Sequence, residues 1–142
     1  MGKKKIIIDN NVLISGLGWN GTPRIILEQV IAGKYVFLIS NKQMEELRKV
    51  LTYPKFKFTK KQIEKYIKLI QSISLCVLTK TKIQVIKEDP ADNMFLELAH
   101  ETGADYIITG DMHLLKLKKY NKTDIINPQY FLKLSKENIK FK

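Results

Sequence analysis

The sequence predicts an α/β protein of three layers, α/β/α, built on a central parallel sheet in a single domain. Two observations carry this. Short runs rich in β-branched residues alternate with longer segments of helical periodicity, the pattern of a parallel sheet covered by helices on both faces. The chain has 142 residues, 44% of them hydrophobic, which is the size of one ordinary domain able to bury a core. The domain is expected to fill residues 1–142, with a loosely held tail over about 136–142 (KENIKFK).

The first strand is expected at Lys5–Ile8, after a run of lysines. A helical region follows in GTPRIILEQVIAGK, with Pro23 near its start, where a missing N–H costs nothing, and Gly33 as its stop. The second strand is Tyr35–Ile39. Ser40 then caps a helix that runs to Leu51, and Gln43, three residues on, fits a capping box. Tyr53 and Pro54 break the chain. Thr59 caps a further helix in which Ile63, Ile67 and Ile70 share one face and read as core. A third strand near Leu75–Leu78 leads through the undefined stretch IQVIK to Asp89 and Pro90, which open a helix ending at Thr102 and Gly103. Asp105–Thr109 is a fourth strand. A short helix after Asp111, a strand at Asp124–Ile126 and a last helix begun by Pro128 complete the domain.

Charge narrows the class of partner. Twenty-five Lys and Arg against 14 Asp and Glu give a net charge of +11, which favours a polyanion such as nucleic acid. Residues 48–87 hold eleven of the basic residues and only Glu64 among the acids. Here Lys55, Lys57, Lys60, Lys61, Lys65 and Lys68 alternate with Tyr53, Phe56, Phe58 and Tyr66, a composition that suits a surface tracking a nucleic-acid backbone and stacking bases. A solvated helix face with some core aromatics has the same composition. No run approaches the roughly 18 apolar residues of a membrane span, and the N-terminus does not have the pattern of a signal peptide, so a cytoplasmic location is expected. Cys76, the single cysteine, lies in the apolar stretch ISLCVL and is expected to be a buried structural thiol.

Four acids stand at the breaks of this pattern: Asp9 after the first strand, Glu46 in MEELRKVL, Asp92 in EDPADN and Asp111 after the fourth strand. Each has a plain structural role available. Asp89 before Pro90 reads as an N-cap, Asp92 as an acid favoured by the helix dipole, Asp9 and Asp111 as caps of the helices that follow them, and Glu45 as the partner of Lys49. Glu46 is less easily explained, because a 100° step per residue places it at the margin of the stripe formed by Met44, Leu47, Val50 and Leu51. Convergence is the stronger argument. In an open parallel sheet the C-terminal strand ends share one edge, where ligands bind, so Asp9 and Asp111 should lie on one rim that Asp92 and Glu46 can reach. Carboxylates crowded there call for a cation, and hard oxygen ligands select Mg²⁺ or Mn²⁺ over zinc. His113 and His100 are read as structural.

The strings IIIDNNVLIS, EELRKVL, DPADNMFLELAHETGADYIITGD and INPQYFL resemble the PIN-domain ribonucleases, in particular the prokaryotic branch of toxin components of toxin-antitoxin pairs. Nearly the whole chain takes part, with the motifs in order. The resemblance implies a PIN-like, 5′-nuclease-like fold and an acidic pocket holding one or two Mg²⁺ or Mn²⁺ ions. It also implies hydrolysis of single-stranded RNA. The family's acids fall on Asp9, Glu46, Asp92 and Asp111. Its polar residue after the last strand falls on Thr109 and its early asparagine on Asn11, both expected to hydrogen-bond the carboxylates from behind. One departure is Asn10, where the family has Thr or Ser after the first aspartate; a polar group is retained, so altered tuning of the site is expected.

On this reading Asp9, Asp92 and Asp111 ligate the metal, and Glu46 orients the attacking water or ligates a second ion. Lys55, Lys57, Lys60, Lys61 and Lys65 bind the RNA backbone. A small antitoxin and a homodimer follow from the resemblance alone. The alternative is a PIN-like module that binds RNA or protein without cutting. A phosphoryl-accepting receiver domain would also gather acids on a sheet rim, but neither DNN nor IITGD supplies its acidic pair, separate acceptor and late lysine.

Overall fold

Every residue from Ile6 to Ile8 is buried, so the strand β1 (Lys5–Ile8) is covered on both faces and belongs at the centre of a parallel sheet. A computed structural model describes the backbone of residues 2–140 and the side chains of residues 2–136. In it β1 lies between β2 (Val36–Ser40) and β4 (Tyr106–Ile108). The full strand order is β3-β2-β1-β4-β6-β5, with β3 at Ser74–Val77, β5 at Lys119–Tyr120 and β6 at Thr123–Ile126. All pairings are parallel except β5 with β6.

Side chains alternate across the sheet and build two cores. Ile6, Ile8, Phe37, Ile39 and Ile108 face one way, toward α1 (Asn10–Gly18), α2 (Thr22–Ile31), α3 (Asn41–Val50), α4 (Lys60–Ile73) and α7 (Pro128–Lys140). Ile7, Leu38, Ile107 and Ile125 face the other way, toward Phe95, Leu96, Leu98 and Ala99 of α5 (Asn93–Thr102) and Leu114 of α6 (Met112–Leu115). The expected three layers are therefore present. Because the chain leaves β1 toward β2 on one side and β4 lies on the other, the strand order switches direction between β1 and β4, which opens a crevice at their C-terminal ends.

Local signals behave as their chemistry requires. Thr59 and Gln62 form a complete capping box at α4. At α3 only half a box forms: Ser40 Oγ accepts from the Gln43 N–H, while the Gln43 side chain turns inward. Gly33 sits at φ 82° after α2, a conformation open to glycine.

Several expectations need correction. Cys76 is exposed, because β3 is an edge strand that is nowhere fully buried. Helix α1 is a separate element that the sequence pattern does not announce; its two glycines lower helix propensity and mask it. Gly16 is needed there, since a Cβ on it would lie 2.9 Å from the Pro23 carbonyl oxygen, at the contact of α1 with α2. Strand β5 is two residues long, too short to leave a periodic signal. Glu45 and Lys49 form no ion pair among the described residues. Phe56, Phe58 and Tyr66 are not an open stacking surface but pack partly buried against the core. The expected tail overlaps the end of α7, and its last residues, 141 and 142, lie outside the described ones.

Candidate metal centre

Asp9 follows the last residue of β1 and caps α1. Its Oδ1 accepts from the Val12 N–H at 2.8 Å, and its Oδ2 accepts a short hydrogen bond from the Thr109 hydroxyl. Thr109 occupies the matching position after β4 and is fully buried. Its Oγ1 also accepts from the Asp111 N–H at 3.0 Å, so one hydroxyl ties both strand-end aspartates together. Asp111 in turn caps α6, taking the His113 N–H on Oδ1 at 2.8 Å. The capping roles read from the sequence and the shared rim are thus one arrangement: caps aim both carboxylates into the crevice at the switch point. Asp9, Asn11, Ser15, Pro23 and Asp111 line an open cavity of about 420 Å³ there.

Asp92 arrives from the opposite layer, at the end of a 3₁₀ turn (Pro90–Asp92) that runs directly into α5. Asn93 makes this approach rigid. Its Nδ2 donates to the carbonyls of Ile86 and Pro90 at 2.9 and 3.1 Å, and its Oδ1 accepts from the Ile86 N–H at 2.9 Å. Carboxylate oxygens of Asp89, Asp92 and Asp111 lie within 4.8 Å of one another. Asp89 makes no side-chain cap, contrary to the reading of it as an N-cap. It faces the acidic cluster instead.

The electrostatics of this cluster are unfavourable as it stands. Asp92 is buried, and its Oδ2 has no hydrogen-bond partner. Burial, then the Asp111 carboxyl beside it, then the charges of Asp89 and Asp9, push the Asp92 carboxyl up to about 8. Burial likewise raises Asp9 above the ordinary carboxylate range, against the opposing hydrogen bonds from Thr109 and Val12. Among the described residues no Lys or Arg pairs with Asp9, Asp89, Asp92 or Asp111. A buried carboxylate oxygen without a donor, among further carboxylates without a counter-charge, suits a hard divalent cation held by oxygens. The donor set therefore fits Mg²⁺ or Mn²⁺.

The other expected residues are placed less centrally. Glu46 is half-buried and Glu45 exposed, as the helical stripe implied, but Glu46 belongs neither to the carboxylate triad nor to the cavity lining. Asn11 is exposed at the cavity wall and hydrogen-bonds none of the carboxylates. Asn10 points inward: its Oδ1 accepts from Gln43 Nε2 at 3.1 Å, and its Nδ2 donates to the Gln43 carbonyl at 3.3 Å. Gln43 also donates to the Ile8 carbonyl at 2.6 Å. The residue that departs from the family pattern is thus used, with Gln43, to anchor the backbone on both sides of Asp9. His113 is half-buried in its turn, and His100 is exposed, within 3.3 Å of Asn121. Lys55, Lys57, Lys60, Lys61 and Lys65 are all exposed.

Sequence reasoning missed Asp89 as a cluster member, Asn93 and Gln43. The spacing DPAD carried a signal for the first, since Asp89 and Asp92 stand three apart across a proline turn. Nothing in the sequence distinguishes Asn93 or Gln43 from ordinary polar helix residues, because their roles depend on the backbone they meet. Compared with known proteins, the chain matches the PIN-domain family model over residues 5–113. No curated protein matches it.

Proposed function

The chain belongs to the PIN-domain family, and from that premise we propose that it is a Mg²⁺- or Mn²⁺-dependent endoribonuclease that hydrolyses phosphodiester bonds of single-stranded RNA, as the toxin of a toxin-antitoxin pair. The fold is of the nuclease type, and the acidic triad fits the divalent metal that the family generally uses. The observation that carries the reading is the orphaned, buried Asp92 Oδ2 beside Asp111, with Asp9 in the same crevice.

Asp9, Asp92 and Asp111 would hold the metal, with Asp89 within reach of Asp92 and Asp111, and Glu46 of α3 would orient the attacking water or ligate a second ion. Held by these residues, a divalent cation would supply a water of lowered pKa and positive charge against the scissile phosphate. The protein's own part is positional. Thr109 holds the Asp9 carboxylate and the Asp111 main-chain N–H, Asn93 holds the Asp89–Asp92 turn, and Gln43 with Asn10 fixes the backbone beside Asp9. The cavity next to Asp9 and Asp111 gives a phosphodiester room to enter. Exposed Lys55, Lys57, Lys60, Lys61 and Lys65 attract the RNA backbone, which the acids alone would repel.

The decisive test is cleavage of a mixed single-stranded RNA pool with Mn²⁺ or Mg²⁺, comparing the protein as purified, the same protein in EDTA, and Asp9→Asn. Metal-dependent cutting lost in the variant is the expected result. RNA binding with no cutting under any metal would favour a binding module. Toxin action predicts a small protein partner that inserts an Arg or Lys among the carboxylates. Its signature would be co-purification with the product of a neighbouring reading frame, and a chain with no such partner would remove that part of the proposal. A homodimer is proposed as well, and light scattering that gives a monomer mass at high concentration would exclude it. Among the described residues no helix is long and apolar enough to cross a membrane.

A further inference from the structure

We propose that Trp19 is a base-stacking platform that seats an unpaired nucleobase of the RNA beside the acidic cavity. This rests on the nuclease reading of that cavity. Trp19 is the only tryptophan in the chain and remains 49% exposed, which leaves part of its surface free to meet a ligand. Its backbone is tied to the cavity wall: the Trp19 main-chain N–H donates to the Ser15 carbonyl at 3.1 Å, and Ser15 lines the cavity with Asp9 and Asp111. Trp19 therefore stands at the C-terminal end of α1, about one helical turn beyond Ser15, on the helix that Asp9 caps at its start.

The ring is braced from behind. Phe58 and Phe56 meet it at centroid distances of 5.7 and 6.2 Å, in tilted contact, and themselves stack at 5.8 Å. The turn that carries it is also rigid. Arg24 donates to the carbonyls of Gly16 and Leu17 at 3.0 and 2.8 Å and to Asn20 Oδ1 at 3.1 Å, which locks the end of α1 to α2. A ring held in place before its ligand arrives loses little entropy on binding. The surrounding charge selects the occupant. Lys55 lies over the Phe56 ring at 5.0 Å, and Lys57, Lys60 and Lys61 are exposed on the segment that supplies Phe56 and Phe58. A half-exposed aromatic that packs on a lysine-rich segment, at the end of the helix that leads from an acidic cavity, is a combination that suits single-stranded nucleic acid: phosphates on lysines, a base on the ring. A paired base is already stacked within its duplex and has no free face to offer.

Because Trp19 is the sole tryptophan, its own emission reports the contact, and in EDTA no cleavage is needed for the measurement. Titration with a short single-stranded RNA oligomer is expected to give a saturable quench, with no quench by heparin or by duplex RNA of the same length. Trp19→Leu is expected to weaken binding of the labelled oligomer by about 5-fold or more, the lower end for loss of one base–aromatic stack, while Trp19→Phe keeps most of the affinity. Oligomer binding seen by anisotropy with unchanged tryptophan emission would overturn the proposal. So would an equal quench by heparin or duplex, and so would an absence of RNA binding. Should the leucine variant fail to fold, the quench and the phenylalanine variant still decide. Failure here leaves the nuclease reading standing or falling on the separate cleavage assay.

Discussion

Asp92 carries the sharpest consequence at the scale of single residues. Its carboxyl, ordinarily near 3.8, is raised to about 8 in the folded protein by burial and by the neighbouring Asp111, Asp89 and Asp9. Between those values the folded chain holds a proton that the unfolded chain has released. Metal-free protein should therefore be most stable below about pH 4 as far as this group is concerned, and lose stability as pH rises toward about 8. Asp9, raised in the same direction, adds to the fall. A tenfold difference in proton affinity between folded and unfolded chain is worth about 1.4 kcal/mol, so melting temperatures in EDTA should decline measurably from about pH 5 to about pH 8. Asp92→Asn or saturating Mn²⁺ should flatten that decline; a profile equally steep with the asparagine would show that Asp92 is not its source. A second expectation concerns Thr109, whose hydroxyl serves Asp9 and Asp111 together. Thr109→Val keeps the volume and removes both bonds. Divalent-ion affinity should fall by about 10- to 100-fold with the fold retained, and Thr109→Ser should restore most of it; calorimetric titration with Mn²⁺ reads both.

At the scale of elements, α1 shows two effects of opposite sign. Alanine is favoured over glycine inside a helix by roughly 1 kcal/mol, so propensity alone would make Gly16→Ala stabilising. The added Cβ, however, would sit 2.9 Å from the Pro23 carbonyl oxygen and 3.1 Å from its carbon, which are backbone atoms that cannot swing away. Such overpacking typically costs about 1–3 kcal/mol, so net destabilisation is expected, along with a shift of Pro23 at the cavity wall. Chemical denaturation of the variant checks the sign, and a gain in stability would mean that α1 and α2 separate easily. The same helix explains why parts of the fold are legible in the sequence and parts are not. Strands β1, β2 and β4 declare themselves through short β-branched runs, and α4 through Thr59 and an isoleucine stripe, because those signals are local. Helix α1 is masked by the glycines that its contact with α2 demands, and Cys76 reads as buried because an apolar run does not say whether its strand lies inside a sheet or at the edge. In the site, Asp9, Asp92 and Asp111 can be placed from strand ends and helix caps. Asn93 and Gln43 cannot be, since each acts on backbone groups brought near only by folding, and Asp89 is betrayed only by its spacing from Asp92 across Pro90.

For the whole molecule the question is how a chain of net charge +11 with an acidic centre recognises a polyanion. The two signs are spatially divided. Asp9, Asp89, Asp92 and Asp111 gather at the crevice between β1 and β4, while Lys55, Lys57, Lys60 and Lys61 stand exposed on the loop and first turn of α4. On the proposed function, phosphates would find attraction at a distance from the centre and repulsion within it until a metal neutralised the carboxylates. If those lysines neutralise phosphates, binding of single-stranded RNA must weaken with salt by counterion release, with a slope of about −0.7 per phosphate contact on logarithmic axes. Replacing Lys57, Lys60 and Lys61 together by alanine removes up to three contacts and should make the slope shallower by about 2. All three side chains are exposed, so stability should change little. Affinity measured in EDTA across a salt series separates the contributions, since lost contacts alter the slope whereas a disturbed fold lowers affinity at every salt concentration. An unchanged slope would move the RNA path off this face, toward lysines elsewhere in the basic stretch such as Lys80, Lys82 and Lys87, which lie between β3 and the turn that delivers Asp92.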